Sequence, residues 1–465
     1  MITSSNQQVK KLLIANRGEI AVRIASTARK MGIPTVAVYS DADRYNVHTR
    51  TADEAVYIGD SSASESYLSI SKLISAAQLS GANAIHPGYG FLSERAEFAE
   101  AIENAGLIFV GPPAHAIRAI GNKAAAKKLM AEAGVPLLPG YHGADQDDAK
   151  LLEEIDRVGY PAIIKAVAGG GGRGMRLVNN AKEAPEALSA ARAEAQTGFG
   201  DANVLIEKFI THPRHIEVQV FGDRYGEVCH LFERDCSLQR RHQKVLEESP
   251  APHLPDEIRK AMGNAACKAA ASIGYTGAGT VEFLLDQDMK FYFLEMNTRL
   301  QVEHPVTEMV TKCDLVEWQL RIASGEALPV HEIPSMPLGH AVEARLCAEV
   351  PSENFRPSVG TISHIHFPPN VRIDSGVEKG SQISPFYDSM IAKIITHGAS
   401  RNEALKKMIE ALTSTHVEGV ETNRDFLLAL AQNDTFQKGA MTTRLIDEDL
   451  HSFVSRRHED ALVKI

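Results

Sequence analysis

Residues 279–304 read GTVEFLLDQDMKFYFLEMNTRLQVEH, two apolar runs on either side of a polar DQDMK turn. Two such runs pair as an antiparallel hairpin. Setting Gln287 opposite Lys290 across the turn places Glu282 directly opposite Glu295. Like charges facing each other in a sheet cost up to about 1 kcal/mol unless a cation lies between them. Hard carboxylate oxygens on two rigid strands suit magnesium, which completes its shell with phosphates and water. Alternate residues of an extended chain share a face, so Glu295, Asn297, Arg299, Gln301 and Glu303 are expected to point the same way, with Phe291 and Phe293 before them on that face.

Working outward, VLIEKFI (204–210), HIEVQVFGD (215–223) and GEVCHLFERD (226–235) read as further strands of a large antiparallel sheet, closed by a helix near Pro305 to Ser324. Upstream, YPAIIKAV and GMRLVNN flank the run Gly169–Gly174, a hairpin loop whose bare backbone suits phosphates, in a small β-rich subdomain near 137–209. Lys165 lies inside that apolar strand and aims either along the sheet or at an anion beneath the loop. The first 115 residues or so form a parallel βαβ domain. Its strands are KLLIAN, TVAVYS, Ala82–Ile85 and LIFVG, with a helix from about Glu19 to Lys30. NRGEIA lacks the glycines of a dinucleotide fingerprint, so this Rossmann-like unit carries no dinucleotide site. After a helical stretch at 114–133 and a Pro-rich linker from Pro329, HAVEARLCAE opens a third domain with helices at 401–412 and 422–432.

The stretch 234–248, RDCSLQRRHQKVLEE, gathers Arg234, Arg240, Arg241, His242 and Lys244, and reads as a solvated loop or a wall for anions. Arg345 alternates with Glu343 and by itself reads as a surface or paired arginine; Lys123 reads as a solvated residue near a helix start. The whole chain carries 49 basic and 59 acidic residues over 465 positions, interspersed, which excludes a nucleic-acid or anionic-membrane footprint. Five cysteines without C-x-x-C spacing argue against a disulfide framework or zinc site and for a reducing, cytoplasmic setting. No N-terminal apolar segment and no run of about 18 apolar residues suggests export or membrane insertion.

ANRGEIAVRI, HPGYGFLSE, KAVAGGGGRGM, ERDCSLQRRHQKV, GAGTVEF and EMNTRLQVEHPVTEM together resemble biotin carboxylase, in its order and spacing, over about residues 10–450. The resemblance implies an α/β and α+β chain. It has a Rossmann-like pre-ATP-grasp domain (1–120), an ATP-grasp domain (121–330) with a glycine-rich lid subdomain, and a biotin-carboxylase C-terminal domain (340–450). It implies nucleotide contacts at Lys123, Lys165, Gly170, Gly171, Gly172 and His242, an adenine hinge at Glu207, Lys208 and Ile210, and His215 and Gln239 near the ribose. Glu282, Glu295 and Asn297 match the metal site for magnesium or manganese, with two ions expected. Glu303 matches the general base for bicarbonate, Lys244, Arg299, Gln301 and Val302 its anion cradle, and Arg345 and Tyr89 the biotin side.

The implied chemistry is ATP-dependent carboxylation of biotin N1' through carboxyphosphate, the first half-reaction of a carboxylase such as acetyl-CoA carboxylase of fatty acid synthesis. No A-M-K-M biotinyl motif occurs, so biotin is expected on a separate carrier protein or on another part of a longer polypeptide. Carboxyltransferase subunits are the further expected partners, and a homodimer the expected assembly. Two competing readings are another acyl-phosphate-forming ATP-grasp ligase and a non-catalytic ATP-binding subunit. The second would be expected to lack at least one of Glu282, Glu295, Glu303 and Arg345, all of which are present.

Overall fold

The computed structural model describes residues 8–168 and 174–454, except the side chains of Lys123 and Ala124. Its centre is an eight-stranded antiparallel sheet. In spatial order the strands are Phe291–Asn297, Gly277–Leu285, Arg214–Gly222, Val228–Arg240, Gln243–Ser249, His340–Cys347, Met390–Gly398 and Arg372–Ser375. The strands opened by HAVEARLCAE thus continue the same sheet that holds the glutamate hairpin.

Period-two alternation divides the side chains of this sheet. Ile216, Val218, Val220, Val281, Phe283 and Leu285 pack with Met262, Ala266 and Ala269 of the helix Asp256–Ser272. Farther along, Val342, Ala344, Leu346 and Ile394 pack with the helices Arg401–Ser414 and Arg424–Ala431. The alternate positions His215, Glu217, Gln219, Thr280, Glu282, Glu343 and Lys393 are polar and buried, and the helix His304–Thr311 packs against this part of the sheet.

A five-stranded parallel sheet precedes it in the order Glu54–Gly59, Thr35–Ser40, Leu12–Ile14, Ala84–His86, Ile108–Phe109. The first of these, a largely exposed edge strand, was not apparent from the sequence, because EAVYIG buries only Ile58. The helix Gly18–Lys30 presents Ile20, Ala21, Ile24, Ala25 and Ala28 at helical spacing, and these join Phe221 and Trp318 in one core that unites the two sheets. A four-stranded sheet, Gly140–Tyr141, Val204–Lys208, Ala162–Ala166 and Met175–Val178, forms the third layer.

The 137–209 segment is less β-rich than expected, since the helices Asp148–Val158 and Ala184–Phe199 supply Leu151, Ile155, Leu188 and Ala191 to its core. Two long helices expected from the sequence are each broken in two by a cap. Asn122 accepts from the Ala125 amide to start a new helix after Gly121. Asp314 caps Leu315–Ala323 after Lys312 turns left-handed at φ 63°. Among the described residues no helix is long and apolar enough to cross a membrane.

Trp318 is fully buried and meets Phe221 edge-on, at 5.3 Å between ring centroids. Trp318→Ala is expected to cost about 3–5 kcal/mol through the cavity it leaves, read as a lowered urea midpoint of the transition that this shared core dominates.

Candidate active site

The glutamate hairpin forms in the anticipated register at the site and in a shifted one at the turn. Glu282 pairs with Glu295 and Thr280 with Asn297, whereas Leu284 pairs with Tyr292 and Leu285 with Phe291. Gln287 is therefore not opposite Lys290; the Asp286 amide bonds the Lys290 carbonyl instead. A β-bulge between the two registers leaves Leu294 without a partner in the ladder and reverses the faces before it. Phe291 and Phe293 consequently point into the core beside Met296, not alongside Glu295 as the unbroken alternation predicted.

The polar residues of the sheet converge on one ammonium group. Lys244 Nζ lies 2.5 Å from Glu217 Oε2, 2.9 Å from Glu282 Oε1 and 2.5 Å from Glu303 Oε1. Its neighbours are equally committed. Arg234, fully buried, donates to Glu217, Gln219, Thr280 and Thr307. Arg345 bridges Glu303 Oε2 at 2.9 Å and Glu247 Oε1 at 2.6 Å. Arg299 reaches Glu94, Asn297 and Gln301, and both Asn297 and Gln301 donate to Glu282 Oε1. The row Asn297, Arg299, Gln301, Glu303 does gather in one place, although the strand ends at Asn297 and Glu303 starts the next helix.

The basic stretch is neither a loop nor uniformly a wall. It is a hairpin, Val228–Arg240 with Gln243–Ser249, turning on Arg241 and His242, both left-handed at φ 48° and 66°. Arg234 is sealed inside, Arg240 lies 3.8 Å over the Phe355 ring, His242 is exposed at the tip, and Gln239 pairs with Lys244. His215 is buried 3.0 Å from Glu282 Oε2 and 3.9 Å from Glu217 Oε2.

A second cluster sits in the small sheet. Buried Glu207 pairs with Lys165 at 2.5 Å and with Lys127, and His142 lies 3.9 Å away. Lys165 thus reaches diagonally across the sheet face to Glu207 on the neighbouring strand. Lys208 bonds the Tyr160 carbonyl at 2.7 Å and Ile210 is half-buried. Residues 209–213 link this cluster directly to the His215 strand. Gly170, Gly171, Gly172 and the Lys123 side chain lie outside the described residues. Tyr89 donates its hydroxyl to Glu19, at a position where the charge of Arg345 is felt.

The electrostatics follow from burial against pairing. Burial alone would raise Glu303, but Lys244, Arg345 and Arg234 hold it well below the usual carboxylate range. Glu282 is lowered in the same way by Lys244 and His215. Glu247 is pushed up to about 7, chiefly by burial and only partly offset by Arg345. Glu343, opposite Glu247 on the next strand, is raised well above its ordinary value by burial, and neither of its oxygens has a hydrogen-bond partner.

Glu282, Glu295 and Asn297 share one face of adjacent strands, and their hard oxygen donors fit magnesium. Glu295 is exposed while Glu282 is buried, so an ion there would be reached from solvent. Sequence reading missed Glu217, Glu247 and Lys393, and named Arg234 only as one charge of the basic stretch. The usable signal was charge inside apolar strands: Glu217 in HIEVQV and Lys393 in MIAKII show the pattern that singled out Lys165.

Family models match residues 8–117 (Biotin carboxylase, N-terminal domain), 122–331 (Carbamoyl-phosphate synthase L chain, ATP binding domain) and 343–448 (Biotin carboxylase C-terminal domain). Biotin carboxylase 1 of Bacillus subtilis is 50% identical over 94% of this chain and 98% of its own length. The rat mitochondrial methylcrotonoyl-CoA carboxylase subunit alpha is 51% identical over 99% of this chain and 64% of its own. The chain spans less than two thirds of the length of such alpha subunits. The crystal structure of a biotin carboxylase–β,γ-ATP complex from Campylobacter jejuni superposes with a TM-score of 0.91 at 45% identity, covering 96% of this chain and all of that one.

Opposite signs are expected in the pH dependence of stability. A carboxyl lowered on folding, such as Glu282 or Glu303, stabilises above its unfolded value near 4.5 and loses that contribution as the pH falls. A raised one, such as Glu343, stabilises below that value and progressively less as the pH rises. Glu343→Gln should therefore gain Tm relative to the parent between pH 5 and pH 8; a flat difference in differential scanning calorimetry would refute the neutral, buried state of this carboxyl.

Proposed function

The chain belongs to the biotin carboxylase family, and on that premise we propose that it uses MgATP and bicarbonate to carboxylate N1' of biotin. The observation that supports this most directly is Glu303, buried between Lys244 and Arg345, one carboxylate oxygen on each. A carboxylate so held is too acidic to act as a base near neutral pH. An anion entering between Lys244 and Arg345 draws both cations toward itself, and the affinity of Glu303 for a proton rises as they leave. Bicarbonate thereby switches on the base that deprotonates it.

The deprotonated oxygen then attacks the γ-phosphorus and the bond to the β-phosphate breaks, giving ADP and carboxyphosphate. Magnesium held by Glu282, Glu295 and Asn297 would supply charge neutralisation at the phosphate oxygens. Lys165, Glu207, Lys208, Ile210, His215, Gln239 and His242 bind and orient the nucleotide, in two groups joined by the 209–213 link. Lys123 and the glycines 170–172 complete that set. Carboxyphosphate breaks to CO₂ and phosphate, and phosphate accepts the N1' proton. Arg345, tethered by Glu247, stabilises the resulting enolate, which captures CO₂. Tyr89, Gln301, Val302 and Arg299 line the same space.

Biotin arrives on a carrier domain, and a carboxyltransferase consumes the product, with two copies of the chain forming the working unit. Among acceptors, a branched acyl-CoA of the methylcrotonoyl type is favoured over acetyl-CoA, because relatives at 50–53% identity carry that name. The odd number of cysteines and their lack of C-x-x-C spacing support a reducing compartment. Cytosol and mitochondrial matrix both qualify, and the relatives just named are mitochondrial.

Steady-state ADP release with bicarbonate and Mg²⁺ should rise on adding free biotin; an ATPase indifferent to biotin would refute the assignment. Glu303→Gln should lower the biotin-stimulated rate by about 100-fold or more, while equilibrium binding of ATP stays as in the parent.

A further inference from the structure

Lys393 lies in the middle of the Met390–Gly398 strand, paired with Arg345 across the sheet, and its side chain is fully buried. Its nearest strand neighbours Ala392 and Ile394 belong to the apolar core. Removing an ammonium from water costs several kcal/mol even after relaxation, and a well-packed apolar residue generally serves stability as well or better. The charge is nevertheless kept. Burial pulls the Lys393 pKa down, but the carboxyl groups facing it, Glu19 and Asp374 among them, raise it above the ordinary value.

The ammonium makes one hydrogen bond of short length, 2.8 Å, to the Val302 carbonyl. Val302 sits between Gln301, whose side chain reaches Glu282, and Glu303, which holds Lys244 and Arg345. Fixing that carbonyl fixes the peptide immediately before Glu303. Lys393 Nζ is also 3.4 Å from Glu19 Oε1, the oxygen that accepts the Tyr89 hydroxyl, and 3.8 Å from Asp374 Oδ2. One cation from a late strand thus touches two loops from distant parts of the chain: the segment after the glutamate hairpin and, through the first helix, the HPGYGF turn.

We propose that Lys393 is a positioning residue that sets two walls of the site together, the Val302–Glu303 peptide on the bicarbonate side and, through Glu19, Tyr89 on the biotin side. This rests on the roles assigned above to Val302, Glu303 and Tyr89. On the nucleotide side Lys165 is held by Glu207 and His215 by Glu282, so the positioning is expected to act on bicarbonate and biotin more than on ATP.

The test is a full kinetic matrix of ADP release, varying ATP, bicarbonate and free biotin in turn, for the parent protein, Lys393→Met and Glu19→Gln. For Lys393→Met, kcat/KM for bicarbonate and for biotin should each fall about 100-fold, the effect of misplacing reacting groups by about 1 Å, with the KM for ATP unchanged. Glu19→Gln keeps the Lys393–Val302 bond, so its KM for biotin should rise while that for bicarbonate holds. Unchanged bicarbonate kinetics in Lys393→Met, or a KM for ATP that rises in parallel with those for bicarbonate and biotin, would overturn the proposal. If Lys393→Met does not fold, Glu19→Gln decides alone: an unaltered KM for biotin overturns it. A parent protein without biotin stimulation would instead bring down the functional reading.

Discussion

Lys244 is the hub on which the site depends. Three glutamates from different places, Glu217 and Glu282 on adjacent strands and Glu303 at the head of a helix, meet on its ammonium. Without a cation these carboxylates would repel one another in a medium that screens poorly. With it, each is held ionised and aimed. Breaking one side of such a buried arrangement leaves uncompensated charge and costs far more than the pair's net worth. The row of cations, Arg234 fully buried and Lys244 and Arg345 partly so, therefore fixes the carboxylates in place and draws an entering anion to them.

The same logic joins the layers. Arg23 of the first helix reaches Glu308 and Asp314, and Arg372 of the last sheet strand reaches Glu308 and Asp374. Glu308 lies on the helix that Glu303 begins. Ion pairs from the first helix and from the end strand of the central sheet thus meet on one short helix. The helix is consequently held from two directions, which keeps Glu303 from drifting relative to Lys244.

Much of this was legible before any coordinates. Alternation in HIEVQVFGD and GTVEFLL announced the sheet, and the spacing of TVAVYS and KLLIAN the parallel domain, whereas HAVEARLCAE was assigned to a third domain although its strand continues the central sheet. The pairing of Glu282 with Glu295 was read correctly, yet from a turn alignment displaced by one residue, and only an unforeseen bulge reconciled the two. Phe291 and Phe293 went to the wrong face for the same reason. The role of the basic stretch was hidden because its charges part company: Arg234 turns inward while Arg241 and His242 form a tight turn. No local pattern reveals that a lysine nearly a hundred positions later will bond the Val302 carbonyl. Such contacts are properties of strand order, not of neighbouring residues.

The bulge at Leu294 has an implication for how such chains diversify. Because the extra residue there absorbs the one-residue offset between the hairpin's loop and its catalytic end, the register of the DQDMK connection is separated from that of the carboxylates. Drift in loop length or sequence at that exposed corner can be tolerated without misaligning the chemistry, so mutations can accumulate at the tip while the inner half of the same two strands stays fixed.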